Sequence, residues 1–245
     1  MIEKEFVVIK KNGYRIAGKA FIPQMNNQRY PTVIFSHGFN ENYRSFQHHG
    51  VGFCEAGIVC IFFDFCGGGI ESLSDGKLQE MTVLTEIEDL QTMIDAVSEF
   101  DYVDADRLFL QGESMGGFVS AFVAAQRNDC IKALILWYPA FVIPDDSKRR
   151  LESGDNMCFG LKLCPDFNKV AADIDIYSII SKYTGPVKII HGDQDTVVSI
   201  SYSHHAADVY NDASLTVMPG AGHGFDDEDS ERARKESIEF IMQYI

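Results

Sequence analysis

Long apolar runs are missing from this chain. No stretch of its 245 residues approaches the length that spans a bilayer. The start, Met1-Ile2-Glu3-Lys4-Glu5-Phe6, has no charged-then-apolar leader pattern. Both absences lead us to expect a cytoplasmic protein with no membrane partner. Basic residues are also scarce, 21 Lys and Arg against 36 Asp and Glu, a formal charge of −15. That excess repels nucleic acid and favours solubility. The six cysteines form no Cys-x-x-Cys pair. Zinc is therefore disfavoured, and free thiols, several of them buried, are expected. The turn Gly67-Gly68-Gly69 lacks the Gly-Lys-Ser/Thr ending and the Gly-x-Gly-x-x-Gly spacing of phosphate loops, so no cofactor is expected. The pairs His48-His49 and His204-His205 would point about 100° apart on a helix, a poor arrangement for sharing one metal. No internal repeat and no low-complexity segment stands out.

What is present is an alternation of strand and helix. Phe6 to Ile9 and Tyr14 to Ile22 read as a hairpin turning at Asn12-Gly13, followed by a polar loop from Pro23 through Pro31. Thr32 to Phe35, Ile58 to Phe63, Arg107 to Gln111, Ile131 to Leu136, Pro186 to Ile190 and Leu215 to Met218 read as strands. The inner ones are unbroken and apolar, as expected of a sheet covered on both faces. Helices are expected over 45–55, 82–100, 115–125, 200–210 and 232–245. In the second, Leu84, Ile87, Leu90, Ile94 and Val97 share a face, while Glu86, Glu88 and Asp89 read as solvated. The acidic run Asp226 to Asp229 also reads as solvated. The pattern predicts an α/β fold, one domain over 1–245, with a mainly parallel central sheet flanked by helices. Residues 140–183 are too long and polar for a simple crossover, and we expect an inserted lid there.

One run organises the chemistry. Gly112-Glu113-Ser114-Met115-Gly116 falls between a strand and a helix, the setting of a nucleophile elbow. A serine hydroxyl is a poor nucleophile near neutral pH and needs a base within reach. His223, between Gly222 and Gly224, is the candidate base, and Asp195 the carboxylate that would orient it. Asp193 is the alternative acid, but it directly follows a strand, where Asp commonly stabilises a turn. His191 is expected to cap or pack, and no firm role is apparent for Glu113. The order Ser, Asp, His is the one expected after such an elbow. The backbone N–H groups of Phe39 and Met115 are the candidate oxyanion hole, with His37-Gly38 setting the loop. Phe39, Phe159 and Phe225 are candidates to flank an aromatic acyl group, and Asp145 or Asp146 to accept a phenol hydroxyl.

With these motifs the chain resembles the α/β-hydrolase family from His37-Gly38-Phe39 to Gly222-His223. It is most similar to small bacterial cinnamoyl/feruloyl esterases and related carboxylesterases. The runs Ser74-Asp75-Gly76-Lys77, Met81 to Asp89 and His191-Gly192-Asp193-Gln194-Asp195-Thr196-Val197-Val198 carry that likeness. The resemblance implies Ser114 as nucleophile, His223 as base and Asp195 as orienting acid, with the lid between the sixth and seventh family strands. It implies a serine esterase acting on a small-molecule ester through an acyl-enzyme, and it is compatible with a homodimer. A peptidase or thioesterase of the same fold, and a non-catalytic hydrolase-like binder, are the alternatives. The chain departs from those esterases at Glu113, where His is frequent, and in the loop Phe65-Cys66-Gly67.

Overall fold

The computed structural model describes residues 1–24 and 29–245. Strands β1 (Ile2–Ile9) and β2 (Arg15–Ile22) form a hairpin, with Gly13 at φ +88° in the turn. The middle of the polar loop expected from 23 to 31 lies outside the described residues, and its end already belongs to β3 (Tyr30–Ser36). After β3 the helix expected over 45–55 is broken into α1 (Tyr43–Phe46), a single tighter turn and α2 (Gly50–Glu55). Then come β4 (Val59–Phe63), α3 (Val83–Ser98), β5 (Val103–Glu113), α4 (Met115–Gln126) and β6 (Ile131–Trp137). Residues 140–183 fold into α5 (Ile143–Ser153), a two-stranded ribbon of β7 (Met157–Cys158) and β8 (Leu161–Lys162), α6 (Phe167–Ala172) and α7 (Ile176–Ile180). The chain closes with β9 (Val187–Gly192), α8 (Ser201–Val209), β10 (Ala213–Met218) and α9 (Asp227–Ile241).

The eight long strands make one sheet in the order β1-β2-β4-β3-β5-β6-β9-β10. β2 is antiparallel to both neighbours, and every pair from β4 to β10 is parallel. β3 and β4 are buried along their whole length, because helices cover both faces. α3 and α4 pack on one face, and α2 and α9 on the other. α4 is buried all round between the sheet and α3, so its sequence is apolar without a polar stripe. Each of its fully buried side chains, such as Phe118 and Val119, contributes about 1.5–3 kcal/mol.

Two expectations about α3 need correction. In α3, whose N-terminus is closed by a reciprocal Thr82–Thr85 capping box, Leu84 is exposed and Val83 takes the place expected for it in the core. Glu86 and Asp89 are fully buried, and only Glu88 faces solvent. Burial, with the nearby Asp89 charge adding to it, pushes the Glu86 carboxyl well above the carboxylate range. Asp89 pairs with the buried ammonium of Lys10 and accepts the Cys66 N–H at 2.7 Å, pinning the loop after β4. The acidic run after His223 is largely exposed, as its sequence suggests, and it also opens a helix: the Asp226 side chain caps α9 by accepting the Asp229 N–H, and Asp227, Glu228 and Asp229 meet the positive end of its dipole.

The buried pair gives a stability test. Asp89→Ala removes the buried partner of Lys10 and leaves its ammonium only the exposed Glu88 carboxylate at 3.2 Å, which should lower unfolding free energy by about 1–3 kcal/mol. Urea denaturation of Asp89→Ala reads that loss, and a Lys10→Met/Asp89→Leu double variant should recover most of it.

Candidate active site

Ser114 stands between the last residue of β5 and the first of α4. Its backbone lies at φ +50° and ψ −118°, a conformation that costs a non-glycine residue of order 1–3 kcal/mol. The elbow fits only because of its glycines. A Cβ on Gly112 would sit 2.3 Å from the Gly116 carbonyl oxygen, and one on Gly116 would sit 2.2 Å from that of Ser36. The strain is held from three sides: the Ser114 N–H donates to Trp137 O at 3.1 Å, and Ser114 O accepts from Phe118 at 3.2 Å and Ala140 at 2.9 Å.

The structure brings the three distant candidates together. His223 Nε2 lies 3.0 Å from Ser114 Oγ, and His223 Nδ1 lies 2.7 Å from Asp195 Oδ2. Nδ1 faces a carboxylate, so it carries the proton, and the bare Nε2 is left to accept from the serine hydroxyl. Asp195 Oδ1 accepts the N–H groups of Val197 and Val198, both at 2.8 Å. Burial would push the Asp195 carboxyl up, but hydrogen bonds from His191, His223 and the Val198 amide outweigh it and hold the group far below the usual carboxylate range. Asp193 does something else. Its Oδ1 accepts the Gly220 N–H at 2.8 Å and clamps the turn that leads to His223.

Phe39 and Met115 both line a cavity of about 60 Å³ that opens over Ser114. Met115 is the first residue of α4, so its N–H has no intrahelical acceptor. The loop before Phe39 is tied down: the fully buried His37 donates from Nδ1 to Gly38 O at 2.8 Å and accepts the Phe65 N–H at Nε2, 3.1 Å away. Gly38 passes so close that a Cβ there would lie 3.4 Å from Ser114 Cβ. The far wall of the cavity comes from the insertion, with Ile143, Phe159 and Phe167 as apolar lining and Asp146, Arg150 and Cys158 as polar lining. Phe159, at the tip of the β7–β8 ribbon, is 72% exposed, its ring centroid 6.2 Å from that of Phe39. Phe225 is elsewhere, packed on Trp137 and Tyr138. Asp145 also faces away from the cavity and accepts the hydroxyl of Tyr202. All six cysteines are free. His48 and His49 do not splay apart as helical neighbours would; in their tighter turn the ring centroids are 3.9 Å apart. Among the described residues no group of three His, Cys, Asp or Glu gathers as a metal site would, and no helix is long and apolar enough to cross a membrane.

A family model described as serine aminopeptidase, S33, matches residues 27–172. The chain belongs to this hydrolase family. Its fold is the α/β-hydrolase fold. Est1E from Butyrivibrio proteoclasticus, solved with ferulic acid bound, is 27% identical and superposes with a TM-score of 0.84 over 97% of this chain and 98% of that one. The alpha/beta hydrolase domain-containing protein 17C of Xenopus tropicalis is 31% identical over 213 residues, 84% of this chain and 60% of the frog protein. Dipeptidyl peptidase 8 of Mus musculus is 25% identical over 141 residues, 52% of this chain but 16% of that protein. The chain thus spans 60% or less of the length of these curated relatives.

Two residues of this hydrolase's site have partners that sequence reasoning did not foresee. His191 reaches Asp195, and Glu113 accepts the hydroxyl of Tyr138 at 2.6 Å. Tyr138 in turn packs the edge of its ring against His223, with centroids 4.9 Å apart. Burial, the Glu41 carboxylate and, against them, the Tyr138 hydroxyl set the Glu113 carboxyl at about 8. The free acid is favoured in the fold, so its stabilising effect is complete below the ordinary Glu value and is lost as pH rises through about 8. Glu113→Gln should therefore flatten the fall in melting temperature between about pH 4.5 and 8. Thermal melts across that range check it; an unchanged slope would assign the pH dependence to another group.

Proposed function

We propose that this hydrolase is a serine carboxylester hydrolase working through an acyl-enzyme. The observation that carries the reading is the alignment of Ser114 Oγ, His223 and Asp195 at 3.0 and 2.7 Å beside a small, mostly apolar cavity. Ser114 attacks the ester carbonyl as His223 takes its proton. The N–H groups of Phe39 and Met115 meet the oxyanion. His223 returns the proton to the leaving alcohol, and water, activated by the same imidazole, releases the acid.

The acyl group we favour is an aromatic one of the hydroxycinnamoyl kind. Similarity to Est1E, which holds ferulic acid, and the facing rings of Phe39 and Phe159 support it. A cavity of about 60 Å³ is small beside the roughly 300 Å³ of a drug-sized site, so this acyl group requires the ribbon bearing Phe159 to lift. Residues 140–183 act as a lid in this reading. The family description favours a second one, an aminopeptidase. Such an enzyme needs a free carboxylate near the scissile carbonyl to hold an α-ammonium group. Asp146, the carboxylate lining this cavity, is already engaged by Arg149 and Arg150, so we rank the ester first.

A panel of methyl ferulate, p-nitrophenyl acetate, an acyl thioester and aminoacyl anilides decides among them. We expect kcat/KM to be highest on methyl ferulate. Preference for the acetate refutes the hydroxycinnamoyl acyl group while keeping the esterase, and preference for an anilide with a free amine moves the assignment to the peptidase.

A further inference from the structure

We infer that His191 is a positioning residue for this site: it grips, from behind, the same carboxylate oxygen that orients His223. The inference rests on reading Ser114, His223 and Asp195 as a working triad. His191 lies in β9, one residue before its end, and its side chain is fully buried. Nε2 lies 3.1 Å from Asp195 Oδ2 and 3.0 Å from Val198 O. An ionised carboxylate and a carbonyl only accept, so Nε2 carries a hydrogen. Nδ1 lies 2.7 Å from Ser203 Oγ on α8, and in the neutral ring it accepts that hydroxyl's proton. The imidazole is thus held in one tautomer between a core strand and a helix.

Asp195 then meets four donors, the amides of Val197 and Val198 on Oδ1 and the two imidazoles on Oδ2. An ionised carboxylate offers about four lone-pair sites, so this one is saturated. A histidine serving only to fill the core would be satisfied by Ser203 and the Val198 carbonyl. His191 instead also reaches Oδ2. The reason lies in the loops. His223 sits between Gly220 and Gly224, both at positive φ, and Asp195 sits on the connection between β9 and α8. Neither segment is fixed by its own backbone ladder. Through Ser203 and His191 the carboxylate is anchored to two regular elements, and through the carboxylate so is His223.

Loss of the His191 N–H has two consequences. The carboxylate gains freedom to swing about its two amide bonds, and Oδ2 carries more charge. The groups facing Asp195 are His191 and His223. Tyr138 borders His223, and its hydroxyl is bound to Glu113. A more negative Oδ2 favours the imidazolium form of His223, which moves the acid limb of kcat/KM to higher pH.

The test compares wild type with His191→Leu, His191→Gln, Ser114→Ala, Asp195→Asn and the His191→Leu/Asp195→Asn double variant. Each is assayed for kcat and KM on p-nitrophenyl acetate across about pH 5 to 9, with thermal melts to establish folding. His191→Leu should lower kcat on the order of ten- to a hundredfold, as misplacement of a reacting group does, with KM little changed and the acid limb raised. Glutamine, whose amide nitrogen reaches the Nε2 position, should restore most of the rate. In the Asp195→Asn background the leucine substitution should have almost no further effect, since it acts through the carboxylate. If His191→Leu does not fold, Ser203→Ala takes its place, with a smaller shift in the same direction. A wild-type kcat and pH profile in the leucine variant, or in the alanine variant standing in for it, overturns the inference while an inactive Ser114→Ala leaves the esterase standing. An undiminished effect in the Asp195→Asn background overturns it equally. Turnover by Ser114→Ala at the wild-type rate sinks the serine-hydrolase reading itself, and the role of His191 with it.

Discussion

Ser114→Ala should lower kcat on the best ester by about 10⁴- to 10⁶-fold, with KM nearly unchanged. The size follows from what is lost and what stays. On the proposed mechanism the hydroxyl carries the acyl group, so without it the two-step route closes. The amides of Phe39 and Met115 and the apolar cavity remain, and such donors alone keep a residual acceleration over water of about 10³–10⁴. A 10⁶-fold loss corresponds to roughly 8 kcal/mol of transition-state stabilisation. Folding is not at stake, because alanine inherits the same φ of +50° and the hydroxyl's partner in the structure is His223, on a surface loop. Ser114→Gly is the informative companion. Glycine tolerates that backbone, so it should be equally inactive yet more stable than Ser114→Ala by about 1 kcal/mol. Steady-state kinetics and melts of the two variants separate the chemistry from the strain. Equal esterase rates for wild type and Ser114→Ala would end the nucleophile assignment.

The parts of this molecule that could be read from its sequence are those set by short-range rules. The elbow is a five-residue pattern whose glycines answer to contacts with neighbouring backbone. The inner strands were legible because burial on both faces demands unbroken apolar runs. What was not legible depends on residues far apart in the chain. Nothing local in α3 distinguishes Glu86 and Asp89 from solvated acids. Asp89 meets Lys10, which the β1–β2 hairpin brings over the helix from 79 positions away, and the Glu86 carboxyl is buried beside Asp89 with no hydrogen-bond partner of its own among the described residues. Leu84 fits the helical stripe, yet it is exposed, because the sheet takes up Val83 instead. Glu113 and Tyr138 meet across neighbouring strands, β5 and β6, which no spacing rule reveals. His191 and Asp195 are four residues apart, a separation that places side chains together on a helix. Here a strand ends and a turn begins between them, and the turn achieves the same approach. The insertion was least readable of all, since Phe159 is neither buried nor on a regular face but stands exposed beside the cavity.

Asp195→Asn should lower kcat by about 10⁴-fold, while Asp193→Asn should lower it less than about tenfold. The two acids are two residues apart, and hydrogen-bond direction separates them. An asparagine at 195 must present one oxygen and one amino group. The Oδ1 side faces the N–H groups of Val197 and Val198 and must keep the oxygen. The amino group therefore falls where Oδ2 was, against His223 Nδ1 and His191 Nε2. A donor, the asparagine amino group, now faces His223 Nδ1 where that N–H needs an acceptor. The ring answers by moving its proton to Nε2, which then faces Ser114 Oγ as a donor and cannot take the serine proton. Geometry survives and basicity does not, so KM should hold and the rate should collapse. Asp193 has no such position. Its carboxylate clamps the Gly220 N–H, a bond that asparagine's carbonyl oxygen reproduces. Raising the pH should rescue neither variant, since the defect in the first is a misplaced proton rather than an unfilled charge. A tenfold or smaller loss in Asp195→Asn, or a large one in Asp193→Asn, would reassign the acid and with it the direction from which His223 is held.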